Sequence, residues 1–377
     1  MLLRIKGKPH KIDSYLIGRV TRSQKNIGPD SIFILESLLE SDLSEDPQCI
    51  LTTLGNEILG DGSFVYDLKS LDHLEEGDIV GIGVDGNINT LYRVNSMHNT
   101  LLATERCNSN CLMCSQPPKD RDDIPMLYSI HSKLIPMIPK ECIQLGISGG
   151  EPTLMGELFF DLLNQTKIHL PKTEIHVLTN GRTFAWNEYA EKLNDLLHRK
   201  VMLGIPLYSD DYLTHDHIVQ AENAFYQTIQ GIHNLARYNI RIEIRVVLHK
   251  LSVKRLKQLA RYIYHNLPFV EHIAFMGLEY TGYTPYNIDK LWIDPFDYQQ
   301  ELSDAVLFLA RKGMRVSIYN STLCTLPESL WEFSRKSISD WKNEYLDECE
   351  KCNKLDECGG LFRWNLKKHS EYIKPFV

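Results

Sequence analysis

The chain has 377 residues, 43% hydrophobic and 24% charged, with a formal net charge of −8. That length builds one large domain plus one or two small ones. The acidic balance and the lack of a basic stripe exclude a mainly electrostatic grip on nucleic acid. No apolar run has the length of a membrane span, and residues 1–10 carry Arg4, Lys6 and Lys8 without a signal-peptide core. The expectation is a cytoplasmic protein with neither a membrane nor a nucleic acid as partner. The acidic stretches 36–46 and 344–357 read as solvated surface.

Taken in chain order, residues 1–97 read as a small mixed domain with a β-sheet. Short strand-like runs, 63–66 and 79–84, are separated by turn residues, and Asp85-Gly86-Asn87 predicts a hairpin turn. Residues 98–290 alternate strands and helices. Strands are predicted at 101–104, 143–148, 174–178, 201–206, 241–248 and 272–276; amphipathic helices are predicted at 157–168, 188–197, 221–236 and 253–266. Such alternation argues for parallel βαβ units, and six of them make an open or partial barrel. Active sites in parallel α/β folds collect at the C-terminal ends of the strands. From 291 to 377 a helix over 295–311 and a strand over 315–319 lead into a cysteine-rich tail.

There are nine cysteines. Cys49 and Cys142 stand alone and read as small buried hydrophobes. The other seven form two groups, which in a chain without a secretion signal favours metal over disulfides. Cys107, Cys111 and Cys114 have C-x3-C-x2-C spacing in a loop after the first core strand. Three thiolates this close can meet three irons of one cubane cluster, leaving the fourth iron open to a ligand. A structural zinc site is the alternative, but zinc wants four ligands, and the next candidates are His131 and Cys142. After the second strand comes Ile147-Ser148-Gly149-Gly150-Glu151-Pro152-Thr153. Its glycines permit close backbone approach to a ligand, and its carboxylate suits an ammonium group; a plain strand-to-helix turn is the alternative. Cys324, Cys349, Cys352 and Cys358 form the second group, and four thiolates suit a closed [4Fe–4S] cluster or a zinc site equally.

The first cysteine segment resembles the signature of the radical SAM superfamily, with Met113 standing where an aromatic residue is usual. The resemblance implies an α/β partial (β/α)6 TIM-like barrel carrying a [4Fe–4S] cluster on Cys107, Cys111 and Cys114. S-adenosylmethionine (SAM) chelates the open iron and is cleaved to methionine and a 5′-deoxyadenosyl radical, which takes hydrogen from the substrate. The segment 147–153 resembles the family's GGEP motif, which assigns Gly149, Gly150 and Glu151 to the SAM amino group. By the same resemblance Asn180, in Thr179-Asn180-Gly181, Ser209 after the fourth strand and Arg245 on the fifth contact SAM. Ordinary structural roles stay open for Ser209 and Arg245. Gly277-Leu278-Glu279 falls in the adenine-contacting region.

The C-x2-C-x5-C run in the tail resembles part of the SPASM region or its shorter relative, the twitch domain. A full SPASM region adds a cysteine shortly after Cys358, where residues such as Phe362 stand instead. One auxiliary cluster, on Cys324, Cys349, Cys352 and Cys358, is therefore the expectation. The runs 105–118, 277–283, 337–343 and 358–360 are similar to the HxsC maturases of the His-Xaa-Ser peptide system. That implies a ribosomally made precursor peptide as substrate, a second radical SAM maturase as partner and a flavodoxin- or ferredoxin-like reductant. A radical SAM enzyme acting on a small molecule or nucleotide is the alternative function, and a non-enzymatic iron–sulfur or zinc protein the remote one. No catalytic acid or base is assigned; His215 and His217, the nearest candidates, are expected to be surface side chains.

Overall fold

The computed structural model describes residues 3–37, 45–55, 61–337, 339 and 342–377. Residues 38–44 of the first acidic stretch, and Ile338, Asp340 and Trp341 of the 337–343 run, lie outside the described residues. The chain divides into two compact units. One comprises Met1–Leu101, Tyr128–Leu145 and Gln165–Thr173; the other comprises Leu102–Leu127, Gly146–Asn164 and Glu174–Val377.

The first unit carries β1 (Arg4–Lys6), β2 (Lys8–His10), β3 (Leu16–Thr21), β4 (Ser31–Leu35), β5 (Cys49–Thr52), β6 (Phe64–Tyr66), β7 (Ile79–Ile82) and β8 (Asn87–Tyr92). Their order is β1-β8-β7-β3-β4-β5-β6-β2. β1 and β2 stand at opposite ends of that order, yet only Gly7 separates them. One extended segment thus pairs with β8 by its first half and β6 by its second, and the sheet closes on itself. Closure needs glycine at the seam. A Cβ on Gly7 would lie 2.6 Å from the Tyr66 carbonyl oxygen, and one on Gly86 would lie 2.3 Å from the Gly7 carbonyl oxygen. Gly86 also has φ of +75°, which the Asp85-Gly86-Asn87 turn requires. Strand alternation sends Ile32 and Ile34 to a cluster with Val20, Leu51 and Val65, while Phe33 and Leu35 pack with Ile50 and Phe64. Cys49 is fully buried in the first of these clusters.

The second sheet runs in chain order: β9 (Asn99–Leu102), β10 (Gln144–Ser148), β11 (Glu174–Leu178), β12 (Val201–Pro206), β13 (Arg241–Leu248), β14 (His272–Gly277), β15 (Val316–Tyr319) and β16 (Ser334–Arg335). From β11 to β16 every pairing is parallel. The helices are α1 (Ile124–Leu134), α2 (Glu157–His169), α3 (Asn187–Asp195), α4 (Tyr212–Val219), α5 (Ala224–Arg237), α6 (Leu256–Asn266), α7 (Ile288–Leu291) and α8 (Gln299–Arg311). This is the expected α/β architecture. The strand order is that of an open, barrel-like sheet built from successive βα units. β15 and β16, from the segment set apart after residue 290, extend the sheet beyond six strands. Among the described residues, no helix is long and apolar enough to cross a membrane.

The two faces of β13 differ in chemistry. Ile242, Ile244, Val246 and Leu248 are at most 1% exposed, and period-two alternation puts Arg241, Glu243, Arg245 and Val247 on the other face. On that polar face the Glu243 carboxylate meets His272 of β14 at 2.7 Å, Arg245 at 2.5 Å and His176 of β11 at 3.5 Å. His176 reaches across β12 because Gly204 lies between: a Cβ there would sit 2.9 Å from the His176 Nε2 and 3.0 Å from the Arg245 Cδ. Burial opposes the Glu243 charge, but the two histidines and Arg245 together hold the carboxyl far below the usual range.

Candidate active site and metal centres

The three cysteines lie on the loop that leaves β9. Hydrogen bonds pin that loop from several elements. Asn110 and Leu112 donate their amides to the carbonyls of Val219 and Ile218 at the end of α4, each at 3.0 Å. Beyond the third cysteine, Tyr283 donates its amide to the Cys114 carbonyl at 2.9 Å, and Asn287 donates its side-chain amide to the Leu112 carbonyl at 3.0 Å. Gly282 is required where that strap crosses, since a Cβ would lie 2.1 Å from the Cys114 carbonyl oxygen. Leu112 and Met113 turn into an apolar cluster with Tyr208, Ile218, Leu278 and Leu291, and Cys111 packs against it.

All nine cysteines are free thiols. Burial pushes Cys107 up to about 11 and Cys111 up to about 12, and Cys114 moves in the same direction. Cys111 is raised further by its two neighbouring thiols. Burial of this kind favours the protonated thiols, and a bound metal group would favour the thiolates instead. Three soft donors on one pinned loop fit one face of a cubane cluster.

The Gly-Gly-Glu segment ends β10. A Cβ on Gly149 would lie 2.4 Å from the Thr104 carbonyl oxygen, and one on Gly150 would lie 2.0 Å from that of Arg106. The amides of Gly150 and Glu151 donate to those same two carbonyls, each at 2.7 Å. The glycines therefore seat the backbone entering the cysteine loop directly against the end of β10. The Glu151 side chain is wholly buried. One of its oxygens accepts from the Thr153 amide at 3.0 Å, the Thr153 hydroxyl at 2.7 Å and the Thr179 hydroxyl at 2.6 Å; the other accepts from the Asn180 amide at 2.7 Å. Three donors thus converge on Oε1 and one on Oε2. In the structure this carboxylate clips the end of β10 to the end of β11.

Asn180 continues the chain of contacts. Its side-chain amide donates to Asn108 Oδ1, between Cys107 and Cys111, at 2.6 Å, and its own Oδ1 accepts from the Arg182 amide at 3.0 Å. Ser209 is fully buried, its hydroxyl accepting from the Asp211 amide at 3.1 Å where Asp211 caps α4. Arg245 is held by Glu243 and donates toward the Met276 sulfur at 3.0 Å. Leu278 and Tyr280, flanking Glu279, are tied to Asn365, each by a 2.9 Å hydrogen bond. Burial pushes the Glu279 carboxyl up.

His215 corrects the expectation of a surface side chain. It is 2% exposed, accepts from the Tyr208 amide at 3.3 Å and is pushed down to about 3 by burial. The helical turn of α4 rotates it inward, whereas His217, two residues on, is exposed. Arg182 carries no motif of its own; its place directly after the Thr-Asn-Gly run was the one signal in the sequence. Sequence reasoning passed over His176, Glu243 and His272, whose polar alternation on the strands was the available signal.

Cys324, Cys349, Cys352 and Cys358 line one cavity with Tyr345, Leu355 and Phe376. Short helical turns at Leu323–Thr325, Asp347–Lys351 and Leu355–Glu357 carry or abut all four. The Leu323 amide points at the Cys358 sulfur and the Phe376 amide at the Cys352 sulfur, each at 3.4 Å. Amide donors of this kind stabilise thiolates, so the donor set fits a bound metal group. Among the described residues, no three His, Cys, Asp or Glu side chains close on a single ion.

Comparison with known proteins agrees with this geometry. A profile of the Radical SAM superfamily matches residues 101–263. Among curated proteins, no sequence matches the chain. Among solved structures, SuiB of Streptococcus suis bound to S-adenosylmethionine aligns with a TM-score of 0.51 at 13% identity, covering 75% of this chain and 76% of SuiB. Native anSMEcpe with bound AdoMet and the Cp18Cys peptide aligns with a TM-score of 0.50 at 16% identity, covering 73% of this chain and 91% of that one. Against another SuiB structure the TM-score is 0.48 at 15% identity, and the match covers 68% of this chain but 56% of SuiB. At these identities the likeness is one of fold.

Proposed function

We propose that the chain is a radical SAM maturase that modifies a ribosomally made precursor peptide of the His-Xaa-Ser type. The observation that carries the reading is the cysteine loop itself. Cys107, Cys111 and Cys114 sit on one loop after β9, and hydrogen bonds lock that loop to the Gly-Gly-Glu and Thr-Asn-Gly segments. These three residues would hold a [4Fe–4S] cluster. When bound, that cluster supplies the electron that cleaves SAM and so starts hydrogen abstraction from the substrate. Gly149, Gly150 and Asn180 border the loop where SAM is expected. Glu151, which also fixes the ends of β10 and β11, Ser209 after β12 and Arg245 on β13 complete the proposed SAM-contacting set.

The second donor set supports a peptide substrate. Cys324, Cys349, Cys352 and Cys358 line one cavity, a four-thiol donor set that an auxiliary [4Fe–4S] cluster would use. A neighbour of the same fold, anSMEcpe, binds AdoMet together with a peptide. Nine free thiols suit a reducing compartment, the cytoplasm, with a flavodoxin- or ferredoxin-like reductant. A second radical SAM maturase is the expected partner.

The test is anaerobic reconstitution followed by co-incubation with SAM, reductant and the His-Xaa-Ser precursor, read by mass spectrometry. The expected result is 5′-deoxyadenosine together with a changed peptide mass. SAM turnover that never alters the peptide mass moves the substrate to the small-molecule class.

A further inference from the structure

We propose that Arg182 is a positioning residue for the SAM-cleaving centre: it clamps the Cys107–Cys111 bend and sets a fixed positive charge beside the cluster that the bend holds. The inference rests on the reading that Cys107, Cys111 and Cys114 carry that cluster.

The clamp is built from both sides. The Arg182 Nη1 donates to the Asn108 carbonyl and, at 3.1 Å, to the Ser109 hydroxyl, so one guanidinium nitrogen holds two consecutive residues of the bend. Its Nε donates to the Gln227 side chain of α5 at 2.7 Å, which fixes the plane of the fork. The backbone beneath it is equally constrained. Gly181 has φ of +76°, and a Cβ on Gly231 of α5 would lie 2.2 Å from the Gly181 carbonyl oxygen, so α5 presses directly on the turn that aims Arg182. Thr228 of α5 donates to the Asn180 carbonyl at 3.0 Å, and Asn180 holds the Asn108 side chain. Asn108 is thus gripped at its carbonyl by Arg182 and at its side chain by Asn180.

The charge has a direction of effect. A cluster gains negative charge when reduced, and a fixed cation nearby favours the reduced form. A planar fork that is always charged can clamp and polarise at once; lysine keeps the charge but loses the fork, and glutamine keeps a donor but loses the charge.

The experiment compares reconstituted full-length wild type, R182K, R182Q and a C107A/C111A/C114A variant. Iron per chain is measured, along with the midpoint potential of the EPR signal that changes on SAM addition. The expected result is a lower midpoint in R182Q and a near-wild-type midpoint in R182K, with auxiliary iron unchanged in both. If R182Q loses the SAM-sensitive cluster while R182K keeps it at the wild-type midpoint, the charge is again what matters. Loss of the cluster in both variants supports the clamp, whose fork both lack; equal midpoints in all three proteins, or an equal drop in R182K and R182Q, overturns the proposal. A SAM-sensitive signal that survives in the triple cysteine variant instead overturns the reading beneath it.

Discussion

Replacing Glu151 by glutamine isolates electrostatics from shape, because the two side chains are nearly isosteric. The wild-type carboxylate accepts four hydrogen bonds while wholly buried, three on one oxygen and one on the other. An amide nitrogen in the second position faces the Asn180 N–H; in the first, it faces the Thr153 N–H. Neither backbone donor can turn away. Each orientation therefore leaves a buried amide unsatisfied, at about 1–3 kcal/mol, and weakens the remaining bonds by removing their charge assistance. The sum is about 3 kcal/mol. Urea denaturation at neutral pH, followed by circular dichroism, checks it as a lowered midpoint with an unchanged slope. Because Asn180 holds Asn108, the variant should also retain less iron after reconstitution. E151Q within about 0.5 kcal/mol of wild type would refute the reasoning, since it would mean that the four bonds contribute little.

Three further predictions follow from other regions of the chain. Gly150→Ala puts a methyl group 2.0 Å from the Arg106 carbonyl oxygen and must break a pair of 2.7 Å backbone hydrogen bonds, so it should cost about 2–4 kcal/mol, whereas Gly28→Ala, which meets nothing within 4 Å, should melt like wild type. His249 is fully buried and, like His215, is pushed down to about 3 by burial, so the unfolded chain binds more protons than the folded one as pH falls below about 6.5. Stability should then drop by about 1.4 kcal/mol per pH unit for each histidine between about pH 6 and pH 4, and H249N, which keeps an acceptor for the Leu251 and Ser252 amides, should flatten the profile of urea midpoint against pH. Replacing Cys324, Cys349, Cys352 and Cys358 by alanine should remove about four of about eight irons and abolish the peptide product while leaving 5′-deoxyadenosine formation measurable; loss of no iron would exclude the auxiliary cluster.

Much of the fold was legible because local pattern and fold agree. The strands at 174–178, 201–206 and 241–248 were readable to the residue: each is a short β-rich run bounded by polar turns, and its partners are its neighbours in sequence. The cysteine spacings are covalent facts of the chain, so candidate ligands could be named at once. The helix α4 was missed because Tyr212–Val219 has little amphipathic contrast, and with it the burial of His215.

The sequence by itself determined the α/β alternation, the two cysteine groups and the Gly-Gly-Glu and Thr-Asn-Gly segments that stand near the first group. Only the tertiary structure decided what those segments do. That β1 and β2 together close a sheet follows from one pairing across some 80 residues and another across some 55, which no local pattern encodes. That Gly149 and Gly150 accommodate the cysteine loop's own backbone, that Glu151 spends its charge on four internal donors and that Arg182 grips Asn108 are contacts between elements far apart in the chain. Residue type sets what a side chain is able to bind; the packing of distant backbone decides what it binds.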